Sequence, residues 1–169
     1  MKIVPTRRSD YGIRALVYLA EHEGEHSKAA EIAAAMQIPQ GFLHQVLQEL
    51  QRAALVTSRP SRTGGYALAR PAAAISVLDA IEALEGPVEG TECAMRGGPC
   101  HWDDVCALHG VWSSARQALA DRLASSTIGE VAAADLALAA GSAAAPPDSH
   151  RARPSSPRPT RSAGNTPDV

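Results

Sequence analysis

Three runs of apolar residues spaced at i, i+3, i+4 and i+7, two short strand-like runs around a Gly-containing loop directly after them, and a long apolar stripe further on predict the fold class. It is mainly α: a winged helix-turn-helix with a small β-hairpin wing, plus a long dimerisation helix.

The first helix is carried by Ile13, Leu16, Val17 and Ala20, the second by Ala29, Ile32, Ala33 and Met36, and the third by Leu43, Val46, Leu47 and Leu50. Ser27 is the expected N-cap of the second helix. Gln37-Ile38-Pro39 separates it from the third, because proline is excluded from a helix interior but suits a first turn. Leu55-Val56-Thr57-Ser58 and Tyr66-Ala67-Leu68-Ala69 then read as the two strands of a hairpin. Ser76-Val77-Leu78-Asp79 resembles a capping box that opens a helix through Ile81 and Leu84, stopped by Gly86-Pro87. Leu108, Val111, Trp112, Ala115, Leu119 and Leu123 trace one face of a helix over about residues 107–125. Such a stripe is expected to be buried against a second copy of the chain, or in part against the chain's own first helix. Thr127-Ile128-Gly129-Glu130 offers a further capping box, opening a short Ala-rich helix.

These elements divide the 169 residues into a winged helix-turn-helix region over 1–72, a second region over 73–140 holding a cysteine loop (86–106) and the long helix, and a tail over 141–169. The tail is rich in Pro, Ser and Arg without apolar periodicity, and is expected to be disordered. No uninterrupted apolar run approaches the length of a membrane span, and Met1 to Gly12 has no apolar core of a secretion signal. The expectation is a soluble, cytoplasmic protein without a membrane partner.

The net charge of −2 argues against a nucleic-acid partner until it is divided. Residues 1–70 carry +3, residues 71–149 carry −8, and residues 150–169 carry +3, so the helix-turn-helix region is basic although the chain is not. On the third helix, Gln40, His44, Gln45 and Gln48 are left outside the apolar face. Gln pairs with adenine edges and His donates to guanine, and a recognition helix reads bases with its N-terminal half. Taken alone, such residues are a solvated surface. In a helix-turn-helix followed by a wing they become the expected base contacts. Arg7, Arg8 and Lys28 near helix starts, with Arg59 and Arg62 in the wing, are the expected phosphate ligands.

All three cysteines, Cys93, Cys100 and Cys106, fall within 14 residues, in a Gly-rich polar segment. Structural cysteines sit singly in apolar surroundings, so this clustering points to a shared ligand. Three thiolates suit zinc or an iron-sulfur cluster, and a fourth donor is needed. His109 follows Cys106 by three residues and shares a helix face with it if the long helix begins there. With no Cys-x-x-Cys dithiol and no His-Asp-nucleophile signal, the chain is not expected to be an enzyme.

In this order, Ser9-Asp10-Tyr11-Gly12-Ile13-Arg14-Ala15-Leu16, Gly64-Gly65-Tyr66 with Leu68, Ile75-Ser76-Val77, the three cysteines and Cys106-Ala107-Leu108-His109 followed by Trp112 resemble the Rrf-type family of bacterial transcription regulators. Its members include IscR-like iron-sulfur regulators and NsrR-like nitric-oxide-sensitive repressors. The resemblance covers about residues 3–138. It implies a homodimeric repressor with crossed long helices, bound to operator DNA and controlled by an iron-sulfur cluster in each cysteine loop. IscR-like members take their fourth ligand at the position of His109, which implies a two-iron cluster. NsrR-like members take an Asp of the partner subunit at the position of Asp10, which implies a four-iron cluster. Both residues are present here. Six residues separate the first two cysteines where members commonly have five, and Pro60-Ser61 stand where the wing usually has Arg-Gly. The cluster type stays open at this point. Two alternatives use the same residues: structural zinc on three cysteines and a histidine without sensing, or a cluster-carrying interaction module without specific DNA binding.

Overall fold

A computed structural model describes residues 5–61, 64–88 and 106–144. The chain runs α1 (Arg7–Glu21), α2 (Ala29–Met36), α3 (Gln40–Arg52), β1 (Val56–Arg59), β2 (Gly65–Leu68), a single 3-10 turn (Ala72–Ala74), α4 (Val77–Glu85), α5 (His109–Ala124) and α6 (Ile128–Ala139). This is the mainly α, winged helix-turn-helix architecture that the periodicities predict.

The three N-terminal helices bury the apolar faces read from their spacing. Leu16, Leu19, Ile32, Leu43, Leu47 and Leu50 are all at most 1% exposed and meet in one core. Thr6 caps α1 by accepting the Ser9 N–H at 3.4 Å. Between α2 and α3 the chain turns sharply because Gln37 adopts the left-handed conformation (φ 53°, ψ 43°) and Pro39 starts the next helix. Ile38, between them, is buried and fixes how α2 and α3 cross.

Two local expectations shift. Ser27 does not cap α2. Its N–H donates to the Tyr66 carbonyl at 2.9 Å and its carbonyl accepts the Tyr66 N–H at 2.8 Å, an antiparallel bridge to the hairpin that leaves Ser27 buried. Lys28 takes the cap position, and its N–H is satisfied by the Glu31 carboxylate at 2.7 Å. Gly65 permits the bridge, since a Cβ there would collide with the Ser27 carbonyl. The strands are each displaced by one residue from the expected runs, pairing Val56 with Leu68 and Arg59 with Gly65. Leu55 is used instead to close α3: it is buried, and its N–H donates to the Leu50 carbonyl at 2.9 Å.

That closure puts Ala54 at φ 55°, a conformation that crowds its Cβ. Ala54 is exposed, so nothing in the packing demands the methyl group. Replacing Ala54 by glycine is expected to stabilise the fold by about 0.5–1 kcal/mol, read as a higher urea midpoint at unchanged slope.

Both predicted capping boxes form. Ser76 and Asp79 exchange hydrogen bonds of 2.9 and 3.0 Å at the start of α4, and Thr127 and Glu130 exchange bonds of 3.0 and 3.1 Å at the start of α6. The two starts lie side by side: the Val77 N–H donates to the Ser126 carbonyl and the Ile128 N–H to the Ile75 carbonyl, each at 2.8 Å. Ile75 and Ile128 are fully buried in the common core. The Ala-rich α6 is therefore no trailing appendage; it lies along α1, while α4 packs on α1 and α3. The close approach of α1 and α4 depends on Gly12, where a Cβ would overlap the Leu84 side chain.

The long helix α5 packs mainly on α4, and it is α6 that covers α1. Of its predicted stripe, Trp112, Leu119 and Leu123 are half-buried, whereas Leu108 and Val111 remain 49% and 66% exposed. Among the described residues no helix is long and apolar enough to cross a membrane.

Candidate nucleic-acid interface and cysteine segment

Burial of Leu43, Val46, Leu47 and Leu50 fixes the rotation of α3. The opposite side is then solvent-facing, and Gln40, His44, Gln45 and Gln48 are all exposed on it. Arg52 extends this face by one turn, at i+4 from Gln48 and i+7 from Gln45, with its side chain 74% exposed. Arg52 lies outside the N-terminal half of the helix from which base contacts are expected, although the spacing of the glutamines reaches it.

The expected phosphate ligands have different surroundings. Arg7, Lys28 and Arg59 are exposed, Lys28 at the start of α2 and Arg59 at the end of β1. Arg62 lies outside the described residues. Arg8 is engaged within the fold: its guanidinium pairs with Glu49 Oε1, tying the start of α1 to α3. The same Glu49 oxygen lies 4.0 Å from Arg52, and Glu49 Oε2 is buried without a hydrogen-bond partner among the described residues. An acceptor so placed favours keeping both arginines close.

A second polar tie joins α1 to the end of α4, immediately before the cysteine segment. Ser9, fully buried, donates its hydroxyl to Glu85 Oε1, which also accepts the Thr6 N–H at 3.0 Å. Partial burial alone would raise the Glu85 carboxyl. The hydrogen bonds from Ser9 and Thr6, with the nearby Arg8 charge, outweigh it and hold Glu85 below its ordinary value. A carboxyl depressed in the folded state stabilises the fold above its unfolded value, and that contribution is lost as pH falls through the folded value. Ser9→Ala is accordingly expected to lower the melting temperature at neutral pH, with a deficit that narrows in acid as Glu85 is protonated. Thermal melts across the acid range test this, and a deficit independent of pH would contradict it.

Of the cysteines, Cys93 and Cys100 lie outside the described residues, as do residues 89–105 as a whole. Cys106 is half-buried, with a free thiol. Its carbonyl accepts the His109 N–H at 2.9 Å, so thiol and imidazole sit in the single turn that opens α5, and His109 is exposed. Among the described residues no group of three or more His, Cys, Asp or Glu side chains is placed to hold a metal. A thiol and an imidazole in one turn nonetheless fit the soft donor set of zinc or an iron-sulfur centre. Asp10, on the first turn of α1, accepts from Arg14 Nε at 3.0 Å, and would have to exchange this partner to serve as a ligand.

A helix-turn-helix with a paired wing and an exposed polar face on its second helix defines the class of DNA-binding transcriptional regulators. The chain belongs to the Rrf2 family, described as an iron-dependent transcriptional regulator, whose model matches residues 5–134. It is 34% identical over 126 residues to a candidate HTH-type transcriptional regulator of Mycobacterium tuberculosis, covering 74% of this chain and 78% of that one. To protein aau3 of Rhizobium meliloti it is 33% identical over 127 residues, covering 75% and 82%. Among solved structures it is similar to CymR, the global cysteine regulator of B. subtilis (TM-score 0.67, 27% identity, 79% of this chain and 98% of that one). It is also similar to the T. potens IscR (TM-score 0.65, 27% identity, 82% and 90%).

Proposed function

We propose that this protein is a homodimeric, cytoplasmic repressor that reads operator DNA with α3. Its switch is an iron-sulfur cluster held by Cys93, Cys100 and Cys106, with His109 or Asp10 of the partner subunit as fourth ligand. The observation that carries the DNA reading is the exposed row Gln40, His44, Gln45 and Gln48 on the helix that follows the turn. Lys28, Arg7, Arg59 and Arg62 supply phosphate contacts at its margins. Dimerisation is supported by the exposed Leu108, which caps α5, and Val111 on α5, apolar side chains that a second copy would take out of water.

The cluster reading is supported by the shared turn of Cys106 and His109, by the family's description as iron-dependent and by the likeness to an IscR. A cluster bound there would change oxidation state, or be lost, in response to redox conditions, nitric oxide or iron-sulfur supply. The residues of this chain would turn that event into altered DNA affinity, since the cysteine segment joins α4, which Glu85 ties to α1, and Arg8 ties α1 to α3. To shift operator occupancy substantially, the two states must differ by about 1–3 kcal/mol in DNA affinity.

Anaerobic purification with iron, sulfide and zinc analysis tests the cofactor. Brown protein with iron and sulfide is expected, whereas stoichiometric zinc in colourless protein would favour the structural-zinc reading. Titration of DNA at increasing salt tests the interface. Affinity is expected to fall steeply with salt, and Gln45→Ala to weaken sequence-specific binding by about 10-fold or more while leaving the salt slope unchanged. Equal operator affinity of cluster-bound and cluster-free protein would refute the switch.

A further inference from the structure

The described residues include nine glycines, and seven have a reason within the fold. Gly24, Gly86 and Gly141 hold φ of 91°, 88° and 68°. At Gly12, Gly64, Gly65 and Gly129 a Cβ would come within 3.2 Å of other atoms. Gly41 and Gly110 have neither reason among the described residues: φ is not positive, and no described residue beyond the helix's own neighbours lies within 4 Å of the Cβ position.

Gly41 stands in the first turn of α3 and is exposed. Gln45, Gln48 and Arg52 follow it at i+4, i+7 and i+11, so its missing side chain falls in the middle of the outward stripe. Almost any other residue would favour the helix more, alanine above all, because glycine adds backbone freedom that folding must remove. At the position that faces most directly away from the core, the chain thus carries one of the residues least suited to a helix, without an internal cause for it.

We infer that Gly41 is the close-approach residue of the DNA interface and sets its sequence discrimination. The absent Cβ lets the α3 backbone enter the major groove until His44 and Gln45 reach the base edges. A methyl group would hold the helix off by roughly a C–C bond length, about 1.5 Å, enough to break hydrogen bonds that need a donor-acceptor separation near 3 Å. Phosphate contacts from flexible Lys28 and Arg59 tolerate that displacement. The inference deepens the reading of α3 as recognition helix and rests on it.

The test uses the full chain, in its anaerobically purified and metal-stripped forms, to select duplexes from a random-sequence pool. The selected duplex and a scrambled duplex of equal length are then titrated with wild type and Gly41→Ala. The variant is expected to melt about 3 °C higher, to bind the scrambled duplex like wild type, and to bind the selected duplex at least about 10-fold more weakly. Wild-type affinity of Gly41→Ala for the selected duplex overturns the inference. A lower melting temperature overturns it too, by revealing a need for glycine inside the fold. If the wild type enriches no sequence in either form, the recognition-helix reading itself fails and the inference falls with it.

Discussion

Cys106→Ser is expected to give a colourless protein that keeps its helical content but retains less than about a tenth of the wild-type iron, because a hydroxyl is a poor substitute for a thiolate on a soft metal centre. Its affinity for the selected duplex should no longer change on nitric oxide or chelator treatment, a loss of the whole response, which for a coupling of about 1–3 kcal/mol is a 5- to 150-fold effect. The half-buried position of Cys106, ahead of the first residue of α5, makes a general loss of fold a poor explanation for such a result. His109→Ala and Asp10→Ala, measured alongside, assign the fourth ligand: the variant that loses iron identifies it. The Asp10 change also removes the exposed i,i+4 pair with Arg14, which is worth only about 0.3–0.5 kcal/mol and cannot mimic loss of a ligand. Iron content, sulfide content and colour equal to wild type in Cys106→Ser would exclude this thiol from the site.

Ile128→Ala should unfold the reading head along with the helix it belongs to. Ile128 is fully buried in the same core as Leu16, Leu43 and Leu47, and truncating a buried isoleucine costs about 2–5 kcal/mol. Because α6 lies along α1, this loss is expected as a single cooperative transition, shifted down by about 5–15 °C, seen alike by circular dichroism and by loss of DNA binding. A separate early transition that spares DNA binding would show that α6 is an independent unit.

The contrast between Ile128 and the N-terminal helices shows what the sequence makes legible. Helical period, capping boxes and the Gln-Ile-Pro turn are signals written within a few residues, and α1 to α4 follow them closely. The partners of those elements are not local. Ser27 has the chemistry of an N-cap but is claimed by Tyr66, nearly forty residues away, and the cap falls to a backbone group that Glu31 can satisfy. In α6 the period is diluted by alanines, so the one large buried side chain, Ile128, gave no measure of how firmly the helix docks. The same division holds at the candidate site. The outward row on α3 follows from helical spacing, whereas the engagement of Arg8 by Glu49 and of Ser9 by Glu85 depends on side chains from other helices. Beside the cysteine segment, Cys106 and His109 share one turn, as their spacing of three predicts.

The hydrogen bonds between the starts of α4 and α6 also hold the flanks of the cysteine segment. Ser126 lies beside Val77, the first residue of α4, α4 ends at Glu85, and α5 packs on α4, so the described residues on both sides of that segment belong to one body. A ligand bound by the cysteines would thus be anchored from both flanks to the body that carries α3, so its gain or loss would act on the shared core and not on a separate domain.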